Sequence, residues 1–466
     1  MSEICESQRP VAWLVKWRIQ ARNWLRKRLG IDRAVGFTIL ARGWSSLAGL
    51  VTVTLIAHFL SPAEQGYYYT FGSLIALQIV FELGFSFVIL QMASHERAHL
   101  TIAPDGAING DPVAHARLAS VLQKTVHWYT AVAVLLAAFL LFAGSHFFSA
   151  HSNSELVFWR VPWVAAALAA TVTFLLDPIV SFLEGCGFVP NVARLRLAQA
   201  ITGSALAWLV LIMHRGLFAP AMILSGNAAV AAVWFFRRKK LLLSLFRHTP
   251  GEHRIQWATE VLPFQWRIAV SWLCGYFIFQ LYNPVLFVYK GAVAAGQMGM
   301  SLNIANALTS VAIAWINTKA APFGTMIARK EYSKLDDHFF LALRQCFSVC
   351  AVGALTLWLA VVYLNWARLP FANRLLDPFS FGILLATTLL NVVIFAEALY
   401  LRAHKQEKFL LNSVFGAMFV ACSTYFLGRH YGALGIVTGS LLIGLVFGLP
   451  LGTYTFVKYR KIWHAA

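Results

Sequence analysis

Long apolar runs recur twelve times along this chain, and the stretches between them are short. A helix needs roughly 20 apolar residues to cross about 30 Å of hydrocarbon. In lipid only helices and closed barrels satisfy their own backbone hydrogen bonds. The pattern therefore predicts an all-α integral membrane protein. Spans are expected at about 34–59, 67–93, 125–148, 157–183, 192–213, 217–236, 261–289, 292–317, 339–364, 378–401, 409–428 and 432–457. Pro178, Pro263 and Pro284 are the residues expected to break the fourth and seventh. A composition 59% hydrophobic and 12% charged agrees with this class.

The charges orient the chain. With the N-terminus inside, the inner segments hold 30 of the 38 Lys and Arg, the outer segments 6, and the spans 2, Arg42 and Arg267. Cytoplasmic loops carry the basic excess of membrane proteins, so both termini are expected in the cytoplasm. The net charge of +19 then sets topology and meets anionic lipid heads. No soluble stretch is long enough for the basic domain that nucleic-acid binding would need. In residues 12–30, Trp13, Trp17 and Trp24 share one helical face while Lys and Arg cover much of the rest. That pattern predicts an amphipathic helix on the inner leaflet, not a cleavable signal. The six cysteines show neither metal spacing nor a disulfide framework. Cys346 and Cys350, one turn apart, read as core packing.

The expected organisation is a tail at 1–33, a six-helix bundle at 34–236, a basic linker at 237–258, a second six-helix bundle at 259–457 and a short C-terminus at 458–466. Two echoes relate the halves. Ser61-Pro62-Ala63-Glu64-Gln65-Gly66 follows the first span, and Gly291-Ala292-Val293-Ala294-Ala295-Gly296 follows the seventh. His214-Arg215-Gly216 precedes the sixth, and His430-Tyr431-Gly432 the twelfth. Halves that each start and end inside are parallel repeats about an axis along the membrane normal. This is a transporter architecture with its site near the midplane between them.

Polar residues within spans are costly and face a cavity or one another. Arg42 shares a helical face with Thr38, Ser45, Ser46, Gly49 and Thr52. Glu82 lies near the middle of the second span, with Gln78 and Ser86 one turn to either side. Arg267 aligns with Ser271 and Cys274, and Asn303, Asn306, Ser310 and Asn317 stripe the eighth span. Two arginines at similar depth in the first helix of each half suit an anionic, phosphate-bearing substrate, because guanidinium grips phosphate bidentately. The plainer alternatives are an Arg42–Glu82 ion pair that fixes packing, or Arg42 snorkelling to the interface. Asp177, beside Pro178, is a candidate proton or cation site together with Glu82, or only the partner of a kink. Glu397, near Arg402 and Lys405, reads as a surface ion pair. The sequence contains no GxxxxGKS or GxxxxGKT phosphate loop and no GxSxG. The outer loops are short, which weighs against a membrane glycan polymerase or ligase. No cofactor, metal or enzymatic activity is expected.

The stretch from Gly43-Trp44 through LIAHFLSPAEQGYYYTFGSLIALQIVFELGFSFVILQMASHE resembles oligosaccharide flippases, as does LPFQWRIAVSWLCGYFIFQLYNPVLFVYKGAVAAGQMGMS. These belong to the multidrug/oligosaccharidyl-lipid/polysaccharide exporter superfamily. The turn between the first two spans is the most recognisable piece. The resemblance implies two six-helix bundles in a V and alternating access. It further implies flipping of an undecaprenyl-diphosphate-linked oligosaccharide across a bacterial inner membrane for lipopolysaccharide or other surface polysaccharide. Partners would be polysaccharide-assembly proteins such as a glycan polymerase, and Arg42 and Arg267 match the family's cationic cavity residues by type and approximate place. The alternative on the same fold is a multidrug and toxin extrusion antiporter, which would use Glu82 and Asp177.

Overall fold

The computed structural model describes residues 33–464 apart from 104–105, 152–156, 252 and 405–407. The expected N-terminal amphipathic helix lies outside the described residues. Almost everything described is helical.

The N-terminal lobe begins with α1 (Arg33–Phe59). The second span is three pieces, α2 (Pro62–Ile75), α3 (Gln78–Glu82) and α4 (Phe85–Arg97). Its start is written in the recognisable turn. Ser61 Oγ accepts from the Glu64 amide at 3.2 Å, Glu64 Oε2 accepts from the Ser61 amide at 2.8 Å, and Pro62 occupies the first turn. This reciprocal cap satisfies backbone donors that a helix start otherwise leaves free. The break between α3 and α4 falls at Leu83 and Gly84, both left-handed with φ of 50° and 69°, and the span bends by 46° there. A short antiparallel hairpin, β1 (Leu100–Ile102) with β2 (Ile108–Gly110), leads into α5 (Pro112–Phe139). The stretch 94–124, between the second and third expected spans, is thus mostly helix and hairpin. α5 runs through a widened turn at Leu140–Gly144 into α6 (Ser145–His151). The lobe closes with α7 (Arg160–Gly185), α8 (Val189–Ile212) and α9 (Ala219–Phe236), and the basic linker contains α10 (Lys239–Arg247). α7 passes unbroken through Pro178, against expectation. α5 and α9 pack along α7, and α1 along α8.

The C-terminal lobe opens with α11 (Leu262–Phe279) and α12 (Tyr282–Lys290), separated at Gln280–Leu281 just ahead of Pro284. Pro263 sits in the first turn of α11, where a missing N–H costs nothing. α13 (Ala292–Ala312), α14 (Ala314–Asn317) and α15 (Ala320–Ala328) make the expected eighth span a broken one. α16 (Tyr332–Trp366), α17 (Pro378–Ala403), α18 (Leu410–Ile443) and α19 (Leu449–His464) complete the chain. α18 turns back on itself at Gly432, whose φ of 65° and ψ of −141° leave the helical region. A Cβ at Gly428 would meet Ile436, and one at Gly439 would meet Ser423, so the two arms are antiparallel. Among the described residues nine helices are long and apolar enough to cross a bilayer, ten with the bent second span counted as one. With the α18 hairpin and the broken α13, the helices follow the twelve expected runs in position.

The two echoing segments meet. Gln65 and Gly66 on α2 face Ala292 and Gly296 on α13. A Cβ on Gly66 would lie 1.9 Å from the Ala292 carbonyl oxygen, and one on Gly296 2.9 Å from the Gly66 nitrogen. Only glycine permits this approach, the small-residue contact that drives helix association in lipid. The main core runs through it, with Tyr67 and Phe148 of the first lobe against Phe287 of the second, and Phe71 and Trp163 packed against Phe148. A second core at the opposite, basic end of the C-terminal lobe contains Phe339, Tyr400 and Phe456, with Cys346 and Cys350 fully buried in it.

Candidate functional site

The lobes are joined by hydrogen bonds between backbone carbonyls and buried amides. Gln65 Nε2 donates to Gly296 O at 2.8 Å and to Arg374 O at 3.0 Å, while Arg374 donates to Leu60 O at 2.6 Å. Deeper in, Asn283 Nδ2 donates to Ser73 Oγ at 3.1 Å, and the Tyr276 hydroxyl to Ser73 O at 3.3 Å. Farther toward the basic end, Gln265 Nε2 donates to Leu83 O at 2.6 Å, and Ile268 and Trp272 stand within reach of Gly84. The carbonyl at the break of the second span is therefore satisfied by the other lobe, which is how irregular backbone is tolerated at membrane depth. Gln65, Gln265, Ser73 and Asn283 are all buried. None was singled out from the sequence. Gln65 lay in plain view in the turn motif, and Gln265 two residues before Arg267.

The expected site residues divide into three groups. Ser271, Cys274 and Asn306 are brought together on the wall of a cavity in the C-terminal lobe, of about 470 Å³, between α11, α13, α17 and α18. Asn391, Thr387 and Thr388 of α17 join them, and Arg402 stands on the wall near the helix end. Asn303, one turn before Asn306, is exposed outside this wall. Arg267 stands one turn before Ser271 on α11, but its side chain lies outside the described residues.

A second group gathers in the N-terminal lobe. Glu82 ends α3 at the break, Gln78 begins that same short helix, and both are half-buried. Glu82, Asp177 of α7 and the buried Tyr129 of α5 lie within electrostatic reach of one another, with Arg196 of α8 near Asp177. The third group is α1. Arg42 is exposed. Trp44, two residues on, donates to Ala200 O and Ser204 Oγ of α8, so Arg42 points from α1 away from α8. Ser46 donates to the Arg42 carbonyl at 3.1 Å, and Thr52 accepts from Trp208 at 2.9 Å. The polar stripe is thus partly spent on packing. No ion pair joins Arg42 to Glu82 among the described residues.

Glu397 corrects the sequence reading. It is 4% exposed, and Oε1 accepts from Thr453 of α19 at 2.8 Å. Oε2 has no partner among the described residues. The cause is helical phase. Arg402 is five residues on, which at 3.6 residues per turn rotates it well off the face of Glu397.

A strap crosses the basic end. Gln123 Nε2 of α5 donates to the carbonyls of Leu245, Phe246 and His248 at 3.1, 3.0 and 2.7 Å, and Lys124 donates to Ile255 O. Arg117 bridges Glu96 at 2.8 Å and Glu260 at 2.5 Å. The Arg117 guanidinium and the Gln256 amide hold the Glu260 carboxyl below the usual carboxylate range. Trp257 stacks on Phe85, with centroids 4.7 Å apart. The linker thereby ties the entry of α11 to the N-terminal lobe.

No family profile matches this sequence, and no curated protein matches it. Solved structures do. A multidrug resistance MATE family transporter of the MOP superfamily, in its inward-facing conformation, aligns with a TM-score of 0.62 at 14% identity, over 91% of this chain and 99% of its own. The MATE multidrug transporter DinF-BH, solved as a complex, aligns at 0.58 and 13%, over 92% and 96%. The lipid II flippase MurJ, in an inward closed conformation, aligns at 0.56 and 14%, over 92% and 90%. The likeness shows the fold: a two-bundle, all-α membrane fold shared by MOP-superfamily transporters and a lipid flippase.

Proposed function

We propose that this chain is a transporter that flips an undecaprenyl-diphosphate-linked oligosaccharide between leaflets by alternating access, for surface polysaccharide assembly in a bacterial inner membrane with both termini cytoplasmic. The observation that carries the reading is the wall of the C-terminal cavity. Among the described residues, Arg402 is its only charged member, and its other polar groups are amides, hydroxyls and a thiol. A site for organic cations wants carboxylates there, whereas an uncharged glycan beside an anionic diphosphate wants this composition. Arg42 and Arg267 are the groups proposed to meet the diphosphate. Polysaccharide-assembly proteins such as a glycan polymerase are the proposed partners.

The test is the leaflet sidedness of lipid-linked oligosaccharide in cells depleted of the protein. Accumulation on the cytoplasmic leaflet, rescued by the intact gene, is the expected result. Arg42→Ala and Arg267→Ala are each expected to lower flipping about tenfold, in line with about 1.5–3 kcal/mol for a charged hydrogen bond. Lys at either place should restore part of it. Full transport by the double alanine variant would remove these two arginines from the site.

One observation favours a second reading. The carboxylates Glu82 and Asp177, with Tyr129 between the helices that carry them, are what a cation-coupled multidrug antiporter would use in its N-terminal lobe. An unchanged lipid distribution, with new sensitivity to cationic drugs, would favour it.

A further inference from the structure

The C-terminal cavity has two ends of different chemistry. Asn306 on α13 and Asn391 on α17 both line it, and neither side-chain amide has a protein hydrogen-bond partner among the described residues. The threonines beside them are already committed as donors. Thr387 and Thr388 give their protons to Ile383 O and Leu384 O at 3.0 and 2.9 Å, one turn back on α17. They can still accept. The rings of Phe279 and Phe395 also line the cavity, 6.1 Å apart and inclined by 46°, and both are partly exposed. Arg402 stands eleven residues along α17 from Asn391, about 16 Å at 1.5 Å per residue. The amide end is therefore remote from that charge.

An unpaired primary amide offers a donor and an acceptor on one edge, which matches two adjacent hydroxyls of a sugar. Threonine oxygens that can only accept complement sugar O–H donors, and aromatic faces cover the C–H face of a pyranose ring. Unsatisfied amides within a membrane span are costly to keep, so two of them converging on one cavity ask for a polar occupant. A volume of about 470 Å³ is in the range of small-ligand sites, roughly 300–1,000 Å³.

We infer that Asn306 and Asn391 form a subsite for an uncharged sugar ring, the part of a lipid-linked glycan nearest the diphosphate, and that this subsite sets which glycans are accepted. The inference rests on the flippase reading and deepens it.

The test uses the purified full chain in lipid nanodiscs and two probes, a polyprenyl diphosphate carrying one N-acetylhexosamine and the same polyprenyl diphosphate without sugar. The wild type should bind the sugar-bearing probe about tenfold more tightly. The Asn306→Leu/Asn391→Leu variant should bind both equally, at the affinity of the sugar-free lipid. That retained binding reports an intact fold. Asn391→Gln, which keeps the amide, should keep most of the preference. A preference undiminished in the double leucine variant, or no preference in the wild type, would overturn the subsite and leave the flippase reading standing. Failure of the wild type to bind either probe while it binds a cationic rhodamine dye would overturn both.

Discussion

At the scale of single residues, buried neutral amides are prominent among the side chains that join the lobes. Gln65 is 1% exposed and satisfies two carbonyls from the other half of the chain, Gly296 O and Arg374 O. Replacing it by leucine would keep the volume, remove both bonds and leave the Arg374 carbonyl without its donor, at a cost of about 1–3 kcal/mol for such a group. The cost falls on the contact between lobes, not on either lobe's core. Gln65→Leu is therefore expected to speed amide hydrogen exchange in α2 about tenfold or more, with little change in α7 and α8. Equal acceleration everywhere would show that Gln65 supports the whole fold. Glu397 makes the complementary point. Its Oε2 is unpaired in a buried place, and such a group is kept against its desolvation cost. The sequence placed it beside basic neighbours. It could not show that the face of α17 bearing Glu397 turns toward α19.

At the scale of elements, the close contact of α2 with α13 depends on Gly66 and Gly296. A side chain on Gly66 would occupy the position of the Ala292 carbonyl. Gly66→Val should therefore force α2 and α13 apart while each lobe folds. Spin labels at Pro62 and Val293 should report a longer and broader distance in the variant, with transport lost at normal expression. An unchanged distance would mean that the backbones yield without separating. Both glycines were visible in the sequence as repeat-related positions, and so were the helix class and the run positions, because apolar periodicity is local. The break at Leu83–Gly84 was not, whereas the one at Gln280–Leu281 lies just ahead of Pro284, a residue expected to interrupt that span. Gly84 is one glycine among many in an apolar run, and the left-handed turn there is sustained by Gln265 from the other lobe. The cavity was half legible. Ser271 and Asn306 were named from helical striping, but Asn391 and Arg402 face the same space from a helix whose pairing no local pattern reveals.

At the scale of the whole molecule, the two lobes and the strap form one mechanical problem. The glycine contact lies at one end and the strap at the other, so the proposed alternating access would require each to yield in turn. The strap's ionic element is Arg117, held between Glu96 and Glu260. Arg117 keeps the Glu260 carboxyl lowered, and a depressed carboxylate contributes stability above its unfolded value, near 4.3. The contribution is lost as pH falls through the depressed folded value. Across the neutral range it should be constant, so proton gradients of physiological size should not act through this residue. The Glu260→Gln variant should accordingly melt at a lower temperature than the wild type at pH 7. The difference should shrink only below about pH 4, and high salt should narrow it, since the pair is partly exposed and screened. Melting curves of the two proteins in nanodiscs between pH 3.5 and 8, values chosen to bracket about one unit below the carboxylate range and the neutral region, test this. A difference that changes between pH 6 and 8 would place a different titrating group in the strap, and would direct attention to the His115–His248 stack, whose rings lie 4.3 Å apart within it.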